Sequence, residues 1–227
     1  MGTYTLTVTF NPEDLSIINK AEEKLVFVKL YADPTPYTKH IVWVAVKPFQ
    51  NNVFEWSPEY SVFCSLNDIE EGSVIRVNSI APSIPGKNYK FADNMFENPV
   101  SQEGLDQEEY MITNNQREPK GMVFGLAQSA RANQQLYSQC PTTGVYLPYS
   151  QYSLFKPVEY LCILLSSQVE NGSVIKIYQW QSSMGRTSNS YVSRAQSKAF
   201  KIAFSSNQTQ KTVKYNGSRG EFEYIAN

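Results

Sequence analysis

The side chains best suited to binding chemistry lie close together in the last third of the chain. From position 171 to position 220 there are eight basic residues and no acid. The basic residues are Lys176, Arg186, Arg194, Lys198, Lys201, Lys211, Lys214 and Arg219. Tyr178 and Trp180 alternate with Lys176 in a strand-like run, which places all three on one face of a β-strand. The predicted ligand-binding residues are Lys176, Tyr178, Trp180, Arg186, Asn189, Tyr191 and Arg194.

An aromatic platform beside a cation suits three kinds of partner. A sugar ring can lay its apolar C–H face on an indole or phenol ring while amides and hydroxyls bond its hydroxyl groups. An anionic membrane surface and stacked nucleobases are the other two. The isoelectric point of about 5.9 argues against nucleic acid as the main partner, because such modules are basic overall. A solvated basic sheet face without any partner is the remaining alternative.

The run after Trp180 is polar and serine-rich, with the sequence QSSMGRTSNSYVSR. Loops of this kind often carry recognition on a rigid β scaffold. We therefore predict non-catalytic, lectin-like recognition of a glycan or glycoconjugate. A membrane-binding or pore-forming protein acting through the same basic aromatic face is the first alternative. A structural or assembly protein that forms homo-oligomers is the second.

The chain offers little for catalysis. Nucleophilic catalysis needs a base beside the nucleophile, and the single histidine, His40, stands at the entry to an apolar strand, where a structural role is favoured. The familiar hydrolase, metalloprotease, phosphate-loop and dinucleotide motifs do not occur in the sequence. Cys64, Cys140 and Cys162 lack metal-ligand spacing. Cys64 and Cys162 lie in strand-like apolar runs, where a free thiol is favoured, and a disulfide between any two of the three is the less favoured alternative. No enzyme, cofactor or metal is expected, although two distant acids acting as a glycosidase pair stay open.

An eight-residue pattern occurs twice, as EEGSVIRV at 70–77 and ENGSVIKI at 170–177. At this offset of one hundred, eight identities fall in a window of thirty residues, where residue frequencies would supply about two. The glycine of each copy predicts a turn with a positive φ, followed by a strand. We interpret the pattern as a tandem duplication.

Short runs with period-2 alternation dominate the rest of the chain and predict β-strands. In TYTLTVTF the apolar positions Tyr4, Leu6, Val8 and Phe10 share one face. One short helix is predicted after Asn11, which is suited to be its N-cap because Pro12 follows it.

We therefore predict an all-β fold of two tandem β-sandwich modules, related by internal duplication and packed against each other. The expected divisions are a first module at 1–100, a polar acidic linker at 101–121, and a second module with the basic aromatic face at 122–227. In the second copy Leu161, Ile163 and Leu165 form an apolar stripe on a face expected to be wet. Such a stripe needs cover, from the other copy first, from a homo-oligomer second and from a ligand or membrane third.

The N-terminal residues lack a basic segment followed by a long apolar one, and the sequence contains no apolar run long enough to span a membrane. The expected location is cytoplasmic, or exported by a route without a Sec signal. A trimmed signal peptide would leave the same sequence.

Overall fold

The computed structural model describes residues 2–31, 39–119, 121–177 and 197–225. These residues form a mostly β structure with one short helix, α1 (Pro12–Lys20). The strands are β1 (Tyr4–Thr9), β2 (Lys24–Leu30), β3 (Lys39–Ile41), β4 (Val44–Val46), β5 (Asn51–Ser65), β6 (Ser79–Pro82), β7 (Lys87–Ala92), β8 (Met95–Phe96), β9 (Val100–Ser101), β10 (Tyr110–Asn114), β11 (Gly121–Ala132), β12 (Gln135–Pro148), β13 (Tyr152–Phe155), β14 (Tyr160–Ser166), β15 (Val174–Lys176), β16 (Phe200–Ala203), β17 (Gln210–Asn216) and β18 (Glu221–Tyr224). The prediction that the fold consists mainly of β-strands is confirmed.

Helix α1 forms where the sequence predicts it. The side-chain oxygen of Asn11 accepts a hydrogen bond from the backbone N–H of Asp14 at 2.7 Å, which caps the first turn. Pro12 lacks an N–H at a position where that group would have no helical partner. Ile18 is buried and fixes the helix against the core.

The large sheet has the strand order β12-β11-β5-β1-β17-β18, and β6 pairs with β5. Strand β1 lies parallel to β17 and antiparallel to β5. Leu6 and Val8 of β1 are fully buried, as the alternation predicts.

A second sheet, with the order β16-β14-β2-β4, packs on the large sheet and forms a sandwich core with it. Leu161, Ile163 and Leu165 of β14 are fully buried in this core together with Leu6 and Phe54 of the large sheet. The apolar stripe is therefore covered by the large sheet, whose strands come from both halves of the chain.

A third sheet, with the order β13-β10-β7-β8 and with β9 paired to β7, shares a second core with the large sheet. Strand β5 contributes to both cores. Its Phe54 and Trp56 belong to the first core, whereas Tyr60 and Val62 belong to the second. The pairing of β5 with β11 shifts register between Trp56 and Tyr60, so an irregularity marks the change from one core to the other.

The predicted division into separate modules needs correction. Each sheet among the described residues combines strands from both sides of the segment 101–121, and β15 with β3 forms a two-stranded sheet that also joins the halves. The segment 101–121 is not only a polar surface connection, because it contains β10, whose Tyr110 and Ile112 are buried. The first and second halves are therefore interleaved.

The repeated turn has the same local geometry in both copies, but the strand predicted to follow it forms only in the second copy, as β15, while Val74 of the first copy makes a single bridge to Ser173. Gly72 and Gly172 have φ angles of +85° and +86°, as predicted. In each copy the backbone N–H of the serine donates to the carbonyl of the glutamate three residues earlier, at 3.0 Å. The two turns also touch, since Gly72 N–H donates to the carbonyl of Val174 at 2.9 Å. The strands that precede the two turns, β5 and β14, have different partners. Strand β5 pairs with β1, β11 and β6, whereas β14 pairs with β2 and β16. The duplication stays a prediction.

Candidate functional site

Of the predicted ligand-binding residues, the structure describes Lys176. Its ammonium lies 3.3 Å from the carboxylate of Glu71, on the turn of the first copy. The other predicted residues lie outside the described part of the chain, and they are Tyr178, Trp180, Arg186, Asn189, Tyr191 and Arg194.

Lysines of the acid-free interval meet acids that lie elsewhere in the sequence. The ammonium of Lys198 is 2.5 Å from the carboxylate of Glu221, and that of Lys214 is 3.2 Å from Glu223. The hydrogen bond from Lys214 holds the pKa of the Glu223 carboxyl below its ordinary value. The positive charge of the interval is therefore partly neutralised in the fold, because β18 brings two glutamates beside it.

Lys211 differs from these lysines. Among the described residues, no carboxylate lies within ion-pair distance of its ammonium, which instead lies 3.3 Å from Oε1 of Gln208. The ammonium also lies 5.3 Å from the centroid of the Tyr224 ring and 5.8 Å from that of Phe204. These distances are within the range of cation–π attraction.

The Tyr224 cleft, as we name it, is an open cleft of about 430 Å³ at this place. Its lining combines amides, hydroxyls, one cation and one aromatic ring. The lining residues are Asn207, Gln208, Thr209, Gln210, Lys211, Thr212, Tyr224 and Ile225.

The strand register explains why Lys211 and Tyr224 meet. Lys211 and Val213 share one face of β17, and Val213 is fully buried in the first core. Tyr224 lies opposite Val213 on the antiparallel β18. Lys211 therefore directs its stem along the core side of the sheet, and its ammonium emerges beside the Tyr224 ring.

The Tyr224 ring is held in place but remains accessible. The edge of the Phe200 ring meets it at a centroid distance of 5.1 Å, while 49% of Tyr224 stays exposed. A tyrosine phenol is already neutral near pH 7, and partial burial raises the pKa of Tyr224 further, so this group can both donate and accept a hydrogen bond.

A buried polar cluster lies behind the cleft and is centred on Glu159. The Glu159 carboxylate accepts hydrogen bonds from the Lys29 ammonium at 2.5 Å, the Trp56 indole at 3.1 Å and the Tyr60 hydroxyl at 3.3 Å. The Lys29 side chain is fully buried, and its ammonium lies 5.4 Å from the centroid of Trp56. Burial lowers the pKa of Lys29, while the charge and the hydrogen bond of Glu159 oppose that shift. Burial is also the main cause that raises the pKa of Tyr60 well above its ordinary value.

Phe204 connects the buried cluster with the cleft. Its backbone N–H donates to the carbonyl of Glu159 at 2.8 Å. Its ring meets the Trp56 ring edge-on at 4.9 Å, and Lys211 lies over it. Phe204 thus links the cluster to Lys211, which lines the cleft.

The cluster itself is poorly suited to chemistry on a substrate, because Lys29 and Glu159 use each other and Lys29 has no exposed surface. Among the described residues, His, Cys, Asp and Glu side chains form no group of three or more that could hold a metal ion. The thiols of Cys64, Cys140 and Cys162 are free, as predicted. No helix in the described part of the chain has the length and apolarity needed to cross a membrane.

Sequence reasoning assigned Lys211 to the basic interval but missed Tyr224. The signal was present in GEFEYIA, where alternation places Phe222 and Tyr224 on one face. What the sequence does not reveal is that β18 returns to β17, which puts this face beside Lys211.

Comparisons with known proteins add no assignment. No protein-family model matches the chain, and no curated protein and no solved structure matches it either.

Proposed function

We propose that the protein is a non-catalytic, lectin-like recognition protein that binds a glycan or glycoconjugate at the Tyr224 cleft. The observation that carries this proposal is the half-exposed Tyr224 ring, braced by Phe200 and flanked by amide side chains. Sugar recognition needs this combination, because each ring has an apolar C–H face and several hydroxyls that both donate and accept hydrogen bonds.

The surroundings of Tyr224 supply both halves of that requirement. Asn207, Gln208 and Gln210 carry amides, each with two donors and an acceptor. Thr209 and Thr212 add hydroxyls along the same cleft. The predicted residues from Lys176 to Arg194 stay a separate part of the proposal, with Trp180 as a proposed stacking ring, and Lys176 is not among the residues that line the Tyr224 cleft.

A glycan array followed by calorimetry on the strongest hits tests the proposal. Tyr224→Ala should weaken binding about tenfold, because the stacking surface is lost while the amides remain. Tyr152→Ala is the matched control, since Tyr152 is 59% exposed on β13 of the third sheet. Its affinity should stay within about twofold of wild type. Unchanged binding in Tyr224→Ala would show that the cleft is not the glycan-binding site. Unchanged binding in Trp180→Ala would show that Trp180 does not contact the glycan.

Membrane binding or pore formation through the same basic aromatic face is the second candidate. The observation that favours it is the pairing of an exposed tyrosine with a lysine, a combination found at membrane interfaces. Leakage of a dye from phosphatidylserine-containing vesicles, without any glycan binding on the array, would replace the lectin proposal with this one. Assembly into oligomers, measured by light scattering, is the third candidate.

We also propose that the chain arose by internal duplication at the offset of one hundred residues. The equal φ angles of Gly72 and Gly172 and the matching serine hydrogen bonds support it. Homologous chains that keep the fold should keep the offset, and loss of the pattern in most of them would contradict the proposal.

A further inference from the structure

We propose that the glycan bound at the Tyr224 cleft carries an anionic substituent, a carboxylate or a sulfate, that pairs with Lys211. This inference rests on the proposed function and specifies its ligand class. Lys211 would act as the charge-reading residue, while Tyr224 would supply the stacking surface.

The first argument is that the lysines around β17 and β18 differ in whether they pair with a carboxylate. Lys198 and Lys214 each reach a glutamate of β18, at 2.5 Å and 3.2 Å. Lys211 has no carboxylate within ion-pair distance among the described residues. An external anion would give Lys211 the negative partner that Glu221 and Glu223 give to Lys198 and Lys214.

The second argument concerns the unused donors of Lys211. An ammonium has three N–H donors, and the described contacts of Lys211 use one of them, on Gln208. The rings of Tyr224 and Phe204 lie within cation–π distance of the ammonium, and among the described residues Gln208 is its one hydrogen-bond acceptor. Hydrogen bonds from a cation to an anionic oxygen are shorter and stronger than neutral ones, so a carboxylate or sulfate fits these donors best.

The third argument concerns why an acidic sugar fits the cleft better than an anionic membrane does. Lys211 is the single charged side chain among the residues that line the cleft. Anionic membranes are held by clusters of several basic residues, and one cation is too few for that purpose. One cation with an aromatic ring and several amides instead matches one acidic group on an otherwise neutral, hydroxyl-rich ring.

The test compares binding of three saccharide panels to the full chain: neutral, carboxylated and sulfated sugars of otherwise similar structure. Lys211→Gln should weaken binding of the acidic sugars about tenfold. Binding of their neutral counterparts should change less than about twofold. Lys211→Arg should retain most acidic-sugar binding, because it keeps the charge. Comparison of the carboxylated and sulfated panels shows which of the two anionic groups the protein binds.

Lys214→Gln is the matched control, since it removes the same charge from the same strand but from a lysine already paired with Glu223. Its acidic-sugar affinity should stay within about twofold of wild type. Equal affinity for acidic and neutral sugars, or equal losses in Lys211→Gln and Lys214→Gln, would overturn the inference. The proposed function would survive that outcome if Tyr224→Ala still weakened sugar binding about tenfold.

Phosphatidylcholine vesicles with and without phosphatidylserine provide the remaining arm. Lys211-dependent binding to the anionic vesicles, without binding to any sugar panel, would overturn both the inference and the lectin proposal. Thermal unfolding of each variant shows whether a loss of binding reflects loss of the fold.

Discussion

At the scale of single residues, the fold contains a charged group that cannot reach water. The Lys29 side chain is fully buried, and the Glu159 carboxylate is its partner. Trp56 and Tyr60 complete the shell of that carboxylate. Because isolated buried charges are costly, this cluster ties the start of β14 to β2 and β5.

Removing the partner of Lys29 should destabilise the protein strongly. We expect Glu159→Gln to lower the free energy of unfolding by about 3 kcal/mol, because the buried Lys29 would lose the carboxylate that offsets the cost of burying its charge. Urea denaturation measures the change, with Glu221→Gln as a control for a half-exposed pair that should lose less than about 1 kcal/mol. The double variant Lys29→Met with Glu159→Gln should recover part of the loss. A double variant no more stable than Glu159→Gln would contradict the role given to the buried charge.

His40 should make stability depend on pH in acid. Burial lowers the pKa of His40 to about 4 from its ordinary 6.5. Between these two pH values His40 is protonated in the unfolded chain but neutral in the folded chain. Its contribution to the free energy of unfolding is therefore complete above pH 6.5 and is lost as the pH falls towards 4. Denaturation midpoints measured across this window should fall less steeply in His40→Gln. Parallel pH profiles for the two proteins would contradict the assignment.

At the scale of elements, the two repeated turns look alike but differ in their neighbours. A Cβ on Gly172 would lie 2.6 Å from the carbonyl oxygen of Ile75, whereas one on Gly72 would meet nothing within 4 Å. Both glycines have a positive φ, so an alanine is strained at either position.

The closer contact predicts unequal costs for the same substitution. Gly72→Ala should lose about 1 kcal/mol of unfolding free energy from the backbone alone, and Gly172→Ala should lose more because Ile75 must also move. Denaturant unfolding of the two variants, measured side by side, gives the difference. A larger loss in Gly72→Ala would show that the turns are not arranged as described.

Much of the local structure can be predicted from the sequence, because local patterns determine it. The N-cap Asn11 and the alternation of Leu6 and Val8 are examples. Strand pairing is different, since β1 pairs with β17 about two hundred residues away and nothing local selects that partner. The candidate site shares this limit, because Lys211 and Tyr224 come together through the pairing of β17 with β18.

At the scale of the whole molecule, the halves complete each other's sheets. The large sheet places the adjacent first-half strands β5 and β1 between β11 and β17 of the second half. The second sheet places β2 beside β14 in the same way. Neither half can therefore satisfy its strand edges or bury its apolar faces alone.

This interleaving predicts how fragments behave. The isolated segment 1–100 should lack a cooperative unfolding transition and should give poorly dispersed amide signals, while the full chain unfolds in one transition. Circular dichroism and amide spectra of the fragment and of the full chain measure both properties. A cooperatively folded fragment would contradict the interleaved architecture and would restore the division into two modules.

The central claim is that a glycan binds at the Tyr224 cleft. Amide chemical-shift mapping of the full chain during titration with the best array ligand tests it most directly. The account predicts that the shifted residues cluster at 207–212 and at Tyr224, with little change around Tyr152. Shifts confined to the third sheet, or the absence of saturable shifts with every sugar that binds on the array, would contradict it.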